Sequence, residues 1–498
     1  MSTSQPRLRL VALGFSLAFL AMLPPAVHSL DAQSMLAVTK SLATDATFAV
    51  PCDTLGTVSG RDGACYSTYY PLLSLLGAPL FFLGQALTGT FYLSSLAAFI
   101  VPALSAAAAA TLTVALSLRL GAGRRGAVLA GAAFAFSTEV LVFARSFFAE
   151  TLAAALLALA ACGLSGTRRQ RSLGLVGLVL VVLAKPQVIL AGPALGAAFA
   201  LRERRWRPLV ETIGATAAGL LIYMVFNFLR FGDISNFGGE SRSLGLSDYA
   251  PIKVFDGLAI LLVSPGSGLL WYSPVAVLGI IVLWRLRRQP LALGGLAVLV
   301  ALLVVYVANP GNDTGWGSRY LIPALPLACA ALGTLTGRIA RLAVVLGVLG
   351  LLLTLPTLPA FYQRYYAEQQ AQGVKFEPNW ARGAGGRVAG TSWTQTQWWA
   401  VPNVQMGVWP SAARQIEDAS RTDITTHLTR EAGAKRRGGD PVKGQPLYQV
   451  IALWWWYLPL AAGVPWWAGA LLSGIALAGG LYLVLAEARR PRAAVSGS

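Results

Sequence analysis

Histidine is almost absent: His28 and His427 are the only two in 498 residues. No HExxH, CxxC or GxxxxGK[ST] pattern occurs anywhere in the chain. A metal site built from His or Cys is therefore not expected, and neither is ATP hydrolysis. Charge is scarce too. Only 12% of residues are charged, against 55% hydrophobic. A soluble domain carries roughly twice that charged fraction, because it needs polar surface to cover its core. The bilayer is the natural solvent for this composition.

The few charges are lopsided, with a formal net charge of +18. A nucleic-acid partner is not implied, because the basic residues sit in short clusters between apolar runs rather than along one face. They read as topology signals. Apolar runs long enough to be spans fall at 9–28, 91–118, 126–143, 151–166, 173–185, 187–201, 208–228, 269–284, 290–308, 320–336, 342–362 and 465–486. The expected fold is all-α and polytopic, with about twelve transmembrane helices of roughly 20 residues each. With the N-terminus cytoplasmic, twenty arginines fall on the inner side, from Arg7 and Arg9 to Arg489, Arg490 and Arg492. The outer side before residue 363 holds eight dispersed cations. This asymmetry puts both termini in the cytoplasm. The motif Ala26-Val27-His28-Ser29 also fits a cleavage site, but an uncleaved first helix is preferred because the charge alternation then works throughout.

Three outer segments are long. The first, 29–90, contains an apolar stretch at 72–87 that is expected as an interfacial helix. The second is 229–268. The third, 363–450, is polar and reads as a small extracytoplasmic cap. It separates a transmembrane module at 1–362 from a terminal unit at 451–498. There the run Trp454-Trp455-Trp456-Tyr457 suits an interfacial helix before the last span. Of four cysteines, Cys162 and Cys329 lie within apolar runs, whereas Cys52 and Cys65 share the first outer loop. In an oxidising compartment a Cys52–Cys65 disulfide is expected.

Ionisable residues in such a chain stand out. Asp31 follows the first helix, where the plain reading is a cap for a helix over 32–43. Arg145 and Glu150 flank a six-residue outer loop, where a salt-bridged helix cap is an equal reading. Glu139 is placed as a buried, paired carboxylate. Lys185 precedes Pro186 at the outer end of a span, where it could also simply snorkel to the surface. Arg230 and Arg319 add two more cations, the latter closing the Gly- and Trp-rich stretch from Asn312 to Tyr320. Ionisable groups gathered at one membrane surface form a functional hypothesis by default.

The order of these motifs resembles the GT-C superfamily of polyprenyl-phosphate-sugar-dependent glycosyltransferases. The nearest likeness is to bacterial protein-mannosyltransferase-like (family 39-like) membrane proteins. The resemblance runs over roughly residues 8–340 and rests on Asp31, the segment Tyr66 to Leu72, Glu150, Lys185-Pro186, Asn227 to Gly232, Ser264 to Pro274, and Trp316 to Pro326. It implies an inner-membrane enzyme with an extracytoplasmic active site and periplasmic interfacial helices in the first outer loop. Its donor would be a polyprenyl-phosphate-linked sugar, and its acceptor a hydroxyl on a glycan, lipid or protein. Asp31 and Glu150 would be the catalytic residues, with Asp31 as the base. Lys185, Arg319 and Arg230 would bind the donor phosphate, and Tyr69, Tyr70 and Trp316 would contact sugar or acceptor. Many relatives carry two adjacent acids where this chain has Asp31-Ala32-Gln33. No cofactor is therefore implied, and a divalent cation remains an alternative that no acid pair supports. A lipid-linked sugar or small-solute transporter or flippase, a polysaccharide polymerase or ligase, and a non-catalytic scaffold are the rival classes.

Overall fold

A computed structural model describes residues 6–24, 29–54, 56–89, 91–234, 236, 251–310, 316–358 and 465–489. The segments 363–450 and 451–462 lie outside the described residues. The first described helix, α1 (Leu8–Ala21), ends well short of residue 28, because Pro24 has no N–H to continue it and disfavours helical geometry at Leu23. The chain then enters α2 (Leu30–Asp45), whose cap is Ser29: its Oγ accepts the Ala32 N–H at 3.2 Å. Asp31 therefore sits in the first turn and is not the N-cap. Its side chain is released for other work.

Between α2 and the next helix the chain forms a small antiparallel sheet that periodicity did not suggest. Strands β1 (Ala49–Val50), β2 (Thr57–Ser59) and β3 (Cys65–Ser67) run in the order β1-β3-β2. Val50 pairs with Cys65, and a disulfide joins Cys65 to Cys52 just beyond β1. The β2–β3 turn carries Gly63 and Asp62. Asp62 Oδ2 accepts the Tyr66 hydroxyl at 2.7 Å, which lowers the Asp62 carboxyl and raises the Tyr66 phenol from their ordinary values.

The helices that follow are α3 (Pro71–Thr88), α4 (Phe91–Ala98), α5 (Ile100–Arg119), α6 (Arg124–Phe136), α7 (Val140–Phe143), α8 (Glu150–Leu164), α9 (Arg168–Ala184), α10 (Ala191–Glu203), α11 (Arg207–Phe231), α12 (Pro251–Leu262), α13 (Leu269–Tyr272), α14 (Pro274–Arg285), α15 (Pro290–Tyr306), α16 (Leu325–Leu332), α17 (Gly337–Thr354) and α18 (Trp466–Arg489). Among the described residues, five helices are long and apolar enough to cross a membrane: Pro71–Thr88, Leu93–Arg119, Arg207–Phe231, Gly337–Thr357 and Trp467–Arg489. This is an integral membrane protein. The stretch at 72–87, expected as interfacial, belongs to this group as α3. Several other expected spans are shorter or broken. The run 126–143 breaks where Thr138 Oγ1 bonds back to Phe134 O and Glu139 N–H turns to Ser273 Oγ. The run 269–284 breaks at Pro274, and 320–336 begins as a 3-10 turn, Arg319–Ala324.

The outward faces of the long helices are apolar: Leu221, Ile222 and Val225 on α11, Val344, Val345 and Val348 on α17, and Leu471, Leu472 and Ile475 on α18 are all exposed. Lipid is the solvent that such faces require. The last helix packs on the first, where Gly14 and Gly480 bring the two backbones so close that a Cβ on either would overlap the other helix's carbonyl. Arg124 seals this contact by reaching Glu487 at 2.6 Å. The clustered arginines sit at the helix ends that carry Arg7, Arg124, Arg168 and Arg207. The opposite ends carry Asp31, Glu150 and Lys185. At that end Arg145 is buried and donates to three carbonyls: Met22 O at 2.6 Å, Thr357 O at 2.9 Å and Leu358 O at 2.9 Å. It thus ties the end of α1 to the end of α17. It forms no ion pair with Glu150, whose partner is Lys185, so of the two readings of the 145–150 loop the salt-bridged cap is not the one formed.

Candidate active site

Four elements present charge to one place. The first turn of α2 brings Asp31. The start of α8 brings Glu150. The end of α9 brings Lys185, which stops the helix because Pro186 follows. The 3-10 turn before α16 brings Arg319. All four line a single cleft together with Met35, Tyr69, Tyr70, Phe148, Ala149, Gln187 and Tyr320.

The charges are paired two by two. Lys185 Nζ donates to Glu150 Oε1 at 2.7 Å, with both side chains close to fully buried, at 6% and 5% exposure. Arg319 Nη1 donates to Asp31 Oδ2 at 3.3 Å, and here the side chains are 19% and 27% exposed. The Tyr69 hydroxyl donates to Asp31 Oδ1 at 2.8 Å, so each carboxylate oxygen of Asp31 has one donor. Aromatic faces surround the cations. The Arg319 guanidinium lies 5.1 Å from the ring centres of both Phe148 and Tyr320, and Lys185 Nζ lies 5.0 Å from that of Tyr320. Tyr320 is itself stacked on Tyr306, with ring centres 4.3 Å apart. Gln187 Nε2 bonds to the Tyr70 hydroxyl.

Two residues expected here lie elsewhere. Arg230 is buried at the end of α11, where it donates to Ser67 O at 2.6 Å and Asn227 Oδ1 at 2.7 Å beneath the rings of Phe226 and Phe231. It fastens β3, and its hollow adjoins Tyr69 and Tyr70 from behind. It is not among the residues lining the acid–cation cleft. Trp316 is fully buried and meets Tyr272 edge-on with ring centres 5.2 Å apart. A ring enclosed in the core has no face to offer a sugar, so Trp316 is corrected from a sugar-stacking residue to a core residue. Glu139 is buried, as expected, but forms no ion pair among the described residues. It lies under the loop that presents Arg319, facing Gly317.

Gly317 has φ +62°, and a Cβ there would overlap the Glu139 carboxylate and come within 2.8 Å of Tyr272 Cβ. Gly317→Ala is therefore expected to cost at least about 1–3 kcal/mol from backbone strain alone, and to displace Arg319. The measurement is a lowered thermal midpoint in detergent together with loss of the cleft's function; an unchanged midpoint would contradict it.

Sequence reasoning assigned no role to Gln187, Tyr320, Phe148 or Met35, although the first three lie within two positions of Lys185, Arg319 and Glu150. The spacing to Lys185, Arg319 and Glu150 was the signal available. Among the described residues no group of His, Cys, Asp or Glu could hold a metal ion.

The fold and cleft define a membrane protein with a paired acid–cation cleft at one end of its helices. No family model matches the chain, and no curated protein matches it in sequence. Among solved structures it is similar to ArnT from Cupriavidus metallidurans bound to undecaprenyl phosphate. That similarity has 14% identity and a TM-score of 0.49, and covers 97% of this chain and 76% of that one. The apo state of the same protein matches at 14% identity and a TM-score of 0.47, over 96% and 76% of the two chains. The archaeal oligosaccharyltransferase AglB from Archaeoglobus fulgidus, in complex with an inhibitory peptide and a dolichol-phosphate, matches at 12% identity and a TM-score of 0.39, over 87% and 61%. At these identities and scores the similarity assigns neither substrate nor residue role to this chain.

Proposed function

We propose that the chain is an inverting GT-C-type glycosyltransferase that moves a sugar from a polyprenyl-phosphate donor to an acceptor hydroxyl at the outer face of the cytoplasmic membrane. The observation that carries this reading is the meeting of Asp31, Glu150, Lys185 and Arg319 in one cleft at the less basic end of an apolar bundle. A donor whose tail stays in the bilayer needs its reacting phosphate met at the membrane surface. A phosphate leaving group needs little protonation; it needs fixed positive charge where its own charge grows. Arg319 and Lys185 supply that charge. Asp31, fixed by the Tyr69 hydroxyl and the more exposed of the two acids, takes the acceptor's proton. Glu150, locked to Lys185, orients the cation. Tyr69 and Tyr70 offer ring surface to sugar or acceptor.

In the step itself the bond between the anomeric carbon and the phosphate oxygen breaks, and its electron pair stays on the phosphate. The acceptor oxygen bonds to that carbon from the opposite face, and its proton passes to the Asp31 carboxylate. Attack from the opposite face inverts the anomeric centre. The reading is tested by giving radiolabelled polyprenyl-phosphate sugar to membranes carrying the chain. Transfer of label to acceptor, with inverted configuration and lost in Arg319→Ala, is the expected result. Movement of the intact lipid-linked sugar across the membrane without transfer would replace the enzyme by a transporter.

A further inference from the structure

The two ion pairs of the cleft are unequal, and their inequality has a consequence for how an anion enters. As it stands the cleft has no net charge to offer: Asp31 answers Arg319, and Glu150 answers Lys185. An arriving phosphate has to take a cation from a carboxylate. Freeing Lys185 would strand a carboxylate that is 5% exposed, and an uncompensated charge in a buried setting is strongly destabilising. Freeing Arg319 opens a longer, 3.3 Å pair whose members are 19% and 27% exposed, so both groups can be reached by water and the opening costs less. Asp31 would keep the Tyr69 hydroxyl on Oδ1 and has access to solvent. Arg319 would stay held between the rings of Phe148 and Tyr320 while its donors turned to a new anion. Its second contact, to the Tyr320 hydroxyl, is long at 3.4 Å and yields easily.

We propose that Asp31 occupies the donor phosphate's place on Arg319 in the resting protein, so that the phosphate displaces Asp31 while the Glu150–Lys185 pair stays closed. This rests on the glycosyl-transfer reading and adds to it a division of labour: Arg319 is the direct phosphate ligand, and Lys185 acts from its fixed position beside Glu150. Displacement also leaves the Asp31 carboxylate unpaired when a donor is bound, which is when a base is wanted. In the transfer step the acceptor proton neutralises Asp31 as the phosphate gains a negative charge, so Asp31 no longer competes with the anion for Arg319. When Asp31 returns its proton to solvent it again competes for Arg319 and helps expel the phosphate product.

The test is equilibrium binding of a radiolabelled polyprenyl phosphate to the purified full chain in lipid nanodiscs, with the matching polyprenol as the phosphate-free control. Asp31→Asn, and Asp31→Ala as a second variant, are expected to bind the phosphate lipid about fivefold tighter than the wild type, the loss of a competitor worth about 1 kcal/mol. The same change in an Arg319→Gln background is expected to alter binding less than about twofold. If Asp31 variants bind no tighter, or tighten equally without Arg319, the exchange is overturned while the transferase reading stands. If the wild type retains the phosphate lipid no better than the polyprenol, the transferase reading falls, and the exchange falls with it.

Discussion

Replacing Asp31 by Asn is expected to lower sugar transfer by about 10²–10⁴-fold, the range that general-base catalysis contributes, with donor lipid still bound. The size of the loss separates chemistry from architecture. Asn is isosteric, so the cleft keeps its shape, and its carbonyl can still accept the Tyr69 hydroxyl now given to Asp31 Oδ1. The Arg319 contact it weakens is long and partly exposed, worth about 1 kcal/mol or less. A fall in turnover far beyond tenfold therefore cannot come from that contact, since about 1.4 kcal/mol corresponds to each factor of ten. The checking measurement is turnover at saturating donor beside a thermal midpoint in the same detergent. The expected pattern is a midpoint near that of the wild type and a turnover near background. Full transfer by Asp31→Asn would remove Asp31 as the base.

The same residue illustrates what was legible in the sequence. In a chain with 12% charge, an acid or a cation next to an apolar run is conspicuous, and the lipid sorts the rest: arginines gather at one set of helix ends, so the dispersed remainder belongs to the other. That is why Asp31, Glu150, Lys185 and Arg319 could be picked out from separate weak motifs and are found around one cleft. The plain alternative for Asp31, a helix cap, fails because Ser29 two residues earlier already takes that position. Local patterning could not decide between them, as both residue types cap helices well.

What patterning missed depends on contacts between distant segments. Strands of two or three residues have no usable period, so the stapled sheet at 49–67 was invisible apart from its cysteines. Arg230 reads locally as a cation at a helix end. Its assignment to the phosphate failed to anticipate that the Ser67 carbonyl, from a strand 163 positions away, would be within reach. Trp316 beside glycines reads as an aromatic that a sugar could stack on. The left-handed turn at Gly317 instead folds it against Tyr272 and leaves Arg319 to face the cleft. The apolar run at 126–143 looked continuous, yet the break at Ser137–Glu139 follows from side chains that bond back to the backbone.

Breaking the buried pair is expected to have the largest effect on stability. Lys185→Met leaves the Glu150 carboxylate, 5% exposed, without its cation, and single removals of this kind cost about 3–5 kcal/mol. Neutralising the partner as well, in Lys185→Met with Glu150→Gln, removes the stranded charge and is expected to recover most of that loss, because a buried ion pair is seldom much better than a neutral pair of similar size. Activity should not follow stability. If Lys185 contributes positive charge to the leaving phosphate, the double variant folds like the wild type and still fails to transfer sugar. Unfolding midpoints of the wild type, the single variant and the double variant, measured beside turnover, separate the two roles. A double variant that recovers both would make the pair a packing device only, whereas one that recovers stability alone leaves Lys185 with a task that only a positive charge can perform.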